Sequence, residues 1–178
     1  RCAQVSRTVT VLNAMVSPLI ESRLPDWVDA RWFANTGELL ALAEEAEIGW
    51  FDSVDFPAAF EAARRARKLR WLNTVAAGVE PFPLDRFRAE GVILTNGAAL
   101  NSITIAEYVV MGMLIIAKGY RQLARAQDRH EWLPEPPGTQ ELYESRALIL
   151  GGGGIGSRVA ALLQPFGVET VTVRRSPV

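Results

Sequence analysis

The residues with the clearest chemistry lie between Leu150 and Gly156, where Gly151-Gly152-Gly153-Gly154-Ile155-Gly156 follows an apolar run. Gly151, Gly153 and Gly156 keep the G-x-G-x-x-G spacing. Each glycine has a physical task. Gly151 permits a tight strand-to-helix turn. Gly153 lets a pyrophosphate approach the backbone. Gly156 lets the helix pack close to the strand. The unpaired N–H groups and the dipole of the following helix favour phosphate charge, so Gly154 and Ile155 are candidate cofactor-binding residues with the three glycines. Four glycines in a row would also serve as a plain flexible turn. The flanking pattern favours the phosphate cradle: strand Arg146–Leu150 before it, helix Ile155–Gln164 after it, then strand Glu169–Val173.

About 20 residues beyond such a loop, an acid would hydrogen-bond the adenine ribose of NAD. This sequence has Arg174-Arg175-Ser176 at that point. Guanidinium groups pair with phosphate through two hydrogen bonds, and a hydroxyl adds a third partner. The expected cofactor is therefore NADP, with NAD possible. The plainer alternative is two surface arginines that end a strand.

The elements that position this loop alternate along the chain. Strands are predicted at Thr8–Val16, Val28–Ala34, Ile48–Phe51, Leu69–Val75 and Val92–Thr95. Helices are predicted at Gly37–Ala46, capped by Asn35-Thr36, at Phe56–Lys68 and at Leu84–Ala89. The basic end of Phe56–Lys68 suits a helix C-terminus. Such alternation predicts a parallel sheet with helices on both faces. A long helix, Ser102–Arg129, follows. Its first half is apolar nearly all round and its second half is basic and amphipathic, so it must be covered on several sides. Trp132–Gly138, with Pro134, Pro136 and Pro137, reads as a linker.

Composition narrows the partners. The 178 residues carry a formal net charge of −1, with 49% hydrophobic and 22% charged residues. No nucleic-acid partner is implied. The most apolar run, Ile103–Ala117, is interrupted by Thr104 and Glu107 and is shorter than the roughly 20 residues of a membrane span. No membrane partner and no metal site are expected. The one cysteine, Cys2, cannot form an internal disulfide, and no leader peptide is visible; a cytoplasmic location is expected.

Several segments together resemble the D-isomer-specific 2-hydroxyacid dehydrogenases. They are Leu72-Asn73-Thr74-Val75-Ala76-Ala77-Gly78-Val79-Glu80, Val92-Ile93-Leu94-Thr95-Asn96, Ile105-Ala106-Glu107-Tyr108-Val109, the glycine loop, and Val173-Arg174-Arg175-Ser176-Pro177. The resemblance covers about 110 residues, and residues 1–68 fit by general pattern only. It implies an α/β fold in two parts: a flavodoxin-like parallel-sheet substrate domain over residues 1–100, then an interdomain helix and the first part of a Rossmann dinucleotide-binding domain over 101–178. It implies that the N–H groups of Ala77 and Gly78 hold a substrate carboxylate. It also implies that Asn101, Thr104 and Ile105 flank the cofactor, and that the long helix 102–129 forms a homodimer. The activity implied is reduction of a small 2-keto acid, such as glyoxylate or hydroxypyruvate, to a D-2-hydroxy acid with NAD(P)H. The alternatives are a non-catalytic NAD(P)-sensing binding protein, or a formate- or phosphite-type oxidation, on the same scaffold.

Two features depart from the family pattern. Glu80 stands where an Asp is usual. Gly152 and Gly154 replace an apolar and a larger, often polar residue, so a more flexible loop is expected. The Arg, acid and His of the family's reaction are expected beyond Val178, in a longer protein of roughly 300 residues. The one histidine, His130, at the end of the long helix beside Asp128 and Glu131, is expected to be a surface or capping residue.

Overall fold

The computed structural model describes residues 7–53 and 55–175. The chain folds as two compact units, Arg1–Ala98 and Ala99–Val178.

The first unit is a five-stranded parallel sheet in the order β2-β1-β3-β4-β5, with β1 Thr8–Asn13, β2 Val28–Phe33, β3 Ile48–Trp50, β4 Trp71–Asn73 and β5 Ile93–Thr95. This is the flavodoxin-like order, and the chain reverses its direction of travel across the sheet between β1 and β3. The first strand stops at Asn13, short of the expected Val16. The Asn13 side chain accepts the Met15 N–H at 2.9 Å and starts a 3-10 turn over Ala14–Val16. Pro18 then opens the short helix α1, Ser17–Ile20.

Three longer helices cover the sheet. Helix α2, Thr36–Ala43, is capped reciprocally by Asn35 and Glu38. The Asn35 side chain accepts the Glu38 N–H at 3.0 Å, and Glu38 accepts the Ala34 N–H at 2.8 Å. Helix α3, Phe56–Arg65, is capped by Asp55 and buries Ala58, Ala59, Ala62 and Ala63 along one stripe. Helix α4 spans Leu84–Glu90. The core they enclose centres on Val11, Phe33, Leu39, Phe51 and Leu72, each 1% exposed or less.

The second unit begins with α5, Ser102–Ala117, and α6, Tyr120–Asp128. The single helix expected over Ser102–Arg129 is thus two helices, bent by 74°. Gly119 causes the break. It sits in the left-handed region at φ 61, and a Cβ there would lie 2.8 Å from the Pro137 carbonyl carbon. Gly138 in turn lies against the Lys118–Gly119 backbone. The proline-rich segment is therefore seated in the bend, where only a residue without a side chain fits. Among the described residues no single helix is long and apolar enough to cross a membrane.

Strand β6, Arg146–Leu150, leads into α7, Gly154–Leu163, and then β7, Glu169–Val173, which pairs parallel to β6. This β-loop-α-β unit is the opening of a Rossmann-type fold. Ala147 and Ile149 join a core of Ala106, Val110, Val159 and Leu163 between the sheet, α5 and α7. The alternate residues Leu148 and Leu150 are exposed.

Candidate functional site

The glycine loop divides its tasks residue by residue. Gly151 has φ 107, and its N–H donates to the Val173 carbonyl at 2.9 Å, which prolongs the β6–β7 ladder by one bond. A Cβ on Gly156 would collide with the Gly151 carbonyl, so the first turn of α7 rests directly on the turn before it. A Cβ on Gly153 would meet no atom within 4 Å; this face of the loop is open. Gly153 is the N-cap of α7 and supplies no side-chain cap. The N–H groups of Gly153, Gly154 and Ile155 donate to no acceptor among the described residues. An open surface, free N–H groups and the positive end of a ten-residue helix form a cradle for an anion.

A second helix start meets it. Ser102, the first residue of α5, is 7% exposed, and its hydroxyl is buried without a hydrogen-bond partner. A Cβ on Gly154 would lie 2.8 Å from that hydroxyl and 3.1 Å from the Ala99 Cβ. Ala99 is held at φ 73 just before α5. Asn101 is the N-cap of α5 and makes no side-chain cap bond; Asn101, Thr104 and Ile105 are exposed at the start of the helix. The starts of α5 and α7 thus come together without side-chain caps around one unsatisfied hydroxyl, a group that requires a partner. Sequence alone does not single out Ser102, because a serine after Asn101 looks like ordinary helix capping.

Arg174 and Arg175 are exposed and form no ion pair with a described residue. The Arg174 side chain lies across Gly152, whose Cβ would come within 2.8 Å of the guanidinium carbon. Ser176 lies outside the described residues.

In the first unit, the loop leaving β4 carries Ala77 and Gly78, both exposed. It is fastened at both sides. The Asp52 carboxylate accepts the Thr74 hydroxyl at 2.7 Å and the Val75 N–H at 3.0 Å, and the Thr74 hydroxyl accepts the Ala76 N–H at 3.2 Å. Across the loop, the Ala76 carbonyl accepts the Gly97 N–H at 3.1 Å, and the Ala77 carbonyl accepts the Asn96 amide at 2.7 Å. The carbonyls are therefore used, while the N–H groups of Ala77 and Gly78 donate to no acceptor among the described residues. Asn13 donates to the Asp52 carbonyl at 2.9 Å, which ties the ends of β1 and β3 at the topological switch point. The Glu80 carboxylate folds back beside Gly78, 2.8 Å from where a Cβ would stand.

His130 follows α6 at φ 55 and is exposed. Its acidic neighbour Glu131 is engaged by Arg129 at 2.6 Å, and this hydrogen bond holds the Glu131 carboxyl below the usual range. Glu131 is thus committed to Arg129 and is not placed to orient the imidazole. No cluster of three or more metal-ligating side chains occurs among the described residues.

Residues 110–178 match the family described as D-isomer specific 2-hydroxyacid dehydrogenase, NAD binding domain. D-3-phosphoglycerate dehydrogenase of Methanocaldococcus jannaschii is 26% identical over 111 residues, covering 62% of this chain and 21% of that protein. The same enzyme of Mycobacterium bovis is 24% identical over 169 residues, covering 94% of this chain and 32% of that protein. The crystal structure of a D-isomer specific 2-hydroxyacid dehydrogenase family protein from Aeromonas salmonicida has a TM-score of 0.74 at 24% identity, covering 96% of this chain and 54% of that one. The chain therefore spans a third or less of the length of these curated relatives and about half of the solved structure. It has the parallel α/β fold of that group, and its residues 110–178 are similar to the NAD binding domain of the D-isomer specific 2-hydroxyacid dehydrogenases.

Proposed function

We propose that this chain supplies the dinucleotide cradle and the carboxylate-binding loop of an NAD(P)-dependent oxidoreductase that interconverts a small 2-keto acid and its D-2-hydroxy acid. The observation that carries this reading is the uncapped start of α7 behind an open Gly153. The residues fit a pyrophosphate. The backbone at Gly153 is accessible, the N–H groups of Gly153 to Ile155 are free, and the Ser102 hydroxyl lacks a partner close by. Arg174 and Arg175 suit the extra 2′-phosphate of NADP, so NADPH is the preferred cofactor. When bound, the nicotinamide supplies the hydride; the chain's own residues bind and orient.

The loop after β4 supports the substrate class. Two adjacent free N–H groups at the carboxyl end of a parallel strand are suited to a carboxylate, and Asp52 and Asn96 fix them in place. His130 is assigned no part in proton transfer. The apolar residues of α5 that face solvent, among them Tyr108 at 66% and Ile116 at 80% exposure, suit packing against a second copy of the chain.

The test is NADPH and NADH oxidation by the full-length protein with glyoxylate, hydroxypyruvate, pyruvate and 3-phosphohydroxypyruvate. Turnover with at least one of these, at a lower KM for NADPH than for NADH, is expected. Absence of turnover with all of them would overturn the enzyme reading.

A further inference from the structure

Of the four consecutive glycines, one is required by the backbone. Gly151 has φ 107, a conformation that side-chain-bearing residues rarely adopt. Gly152 lies outside the left-handed region, so its backbone would accept any residue. Space, not conformation, is what its missing side chain provides. A Cβ on Gly152 would run into the Arg174 Nε and would stand 2.8 Å from the guanidinium carbon and 3.0 Å from Cδ. No other glycine of the loop has this relation to Arg174: Gly153 faces open space and Gly154 faces Ser102.

We propose that Gly152 is a specificity-determining residue, which seats the Arg174 side chain across the phosphate loop and holds its guanidinium ready for the 2′-phosphate of NADP. The proposal rests on the NADP reading above. The physical basis is preorganisation. A free arginine has many rotamers, and binding an anion costs the freedom to use them; a guanidinium already laid against the loop loses less. Arg174 also has no carboxylate partner among the described residues, so its charge remains available to a ligand. Arg175, the next residue, carries the same charge and is exposed. A side chain at 152 displaces only the end of a flexible arginine, so the fold should tolerate it while the 2′-phosphate contact should not.

The experiment measures binding, not turnover. The full-length protein is titrated calorimetrically with 2′,5′-ADP and with 5′-AMP, which differ by the 2′-phosphate alone. The wild-type protein should bind 2′,5′-ADP more tightly. Gly152→Ala should reduce that preference by about tenfold, and Gly152→Leu should abolish it, with 5′-AMP affinity retained. In an Arg174→Ala background, Gly152→Ala should have no further effect on the ratio. If Gly152→Ala keeps the wild-type ratio, or lowers it equally without Arg174, the seat is refuted while the NADP reading stands. If the wild-type protein shows no preference for 2′,5′-ADP, both fall together.

Discussion

Asp52 and Thr74 are joined by a 2.7 Å hydrogen bond in which the Thr74 hydroxyl donates to the carboxylate, and the other carboxylate oxygen takes the Val75 N–H at 3.0 Å. One side chain just beyond β3 thereby sets the loop that leaves β4. Asp52→Ala removes the acceptor for both bonds, and Asp52→Asn keeps a neutral acceptor for one. The expected result is a KM for the keto acid raised about tenfold in the Ala variant and less in the Asn variant, with kcat and cofactor affinity unchanged. Steady-state kinetics with each substrate varied separately checks this. A fall in kcat with KM unchanged would assign Asp52 another role.

At Ser102, stability and cofactor affinity should move in opposite directions. Its hydroxyl is buried and unpartnered, so Ser102→Ala should leave the cofactor-free protein as stable as before or stabilise it by about 1 kcal/mol. The same change should weaken NADH and NADPH alike, by about tenfold, because the hydroxyl next to Gly154 would no longer serve the pyrophosphate. Urea unfolding and a fluorescence titration read the two effects. Loss of stability with unchanged cofactor affinity would show that Ser102 is purely structural.

The bend between α5 and α6 depends on Gly119 for two reasons that can be separated. Its φ is 61, and the Pro137 backbone is 2.8 Å from the position of a Cβ. Gly119→Ala should destabilise the protein by roughly 2–4 kcal/mol through backbone strain and overpacking together. Asn tolerates the left-handed conformation but brings the same Cβ. Gly119→Asn should therefore cost nearly as much. If Asn restores wild-type stability in urea, the contact with Pro137 is unimportant.

Much of this is legible in the sequence, for reasons that differ between residues. The strand-turn-helix around Gly151–Gly156 is readable because local pattern and phosphate chemistry coincide there. The helix boundaries at Asn35 and Asp55 are close to readable because capping is local. The break at Gly119 is hidden because an apolar run passes into a basic run without a proline, and the residue that requires the glycine, Pro137, is distant in sequence. Asn13 illustrates the same limit: its side chain ends β1 by a local bond, yet its second bond, to the Asp52 carbonyl, spans 39 residues. Ser102 and Asp52 escape sequence reasoning because a contact, and not a residue type, makes them matter.

The exposed apolar side of α5 should be covered by a second copy. Ile116, 80% exposed, is a suitable probe because its substitution disturbs little of the core. Ile116→Glu should convert a dimer to a monomer in sedimentation analysis without loss of secondary structure. A wild-type protein that sediments as a monomer at micromolar concentration would contradict the assignment.

Gly153 is the residue on which the proposed cofactor cradle depends most directly. It is an extended N-cap, at φ −77 and ψ −168, with open space on its outer side. An aspartate fits that backbone and should cap α7, stabilising the protein by about 1 kcal/mol. The same carboxylate would stand where the pyrophosphate is proposed to lie. Titration of the full-length wild-type and Gly153→Asp proteins with NADPH and NADH, followed by nicotinamide fluorescence, is the deciding measurement. Saturable binding is expected of the wild type, with affinity lower by about 100-fold or more in a variant that melts no earlier. Equal binding by both proteins, or no binding by the wild type, would contradict the cradle at the start of α7.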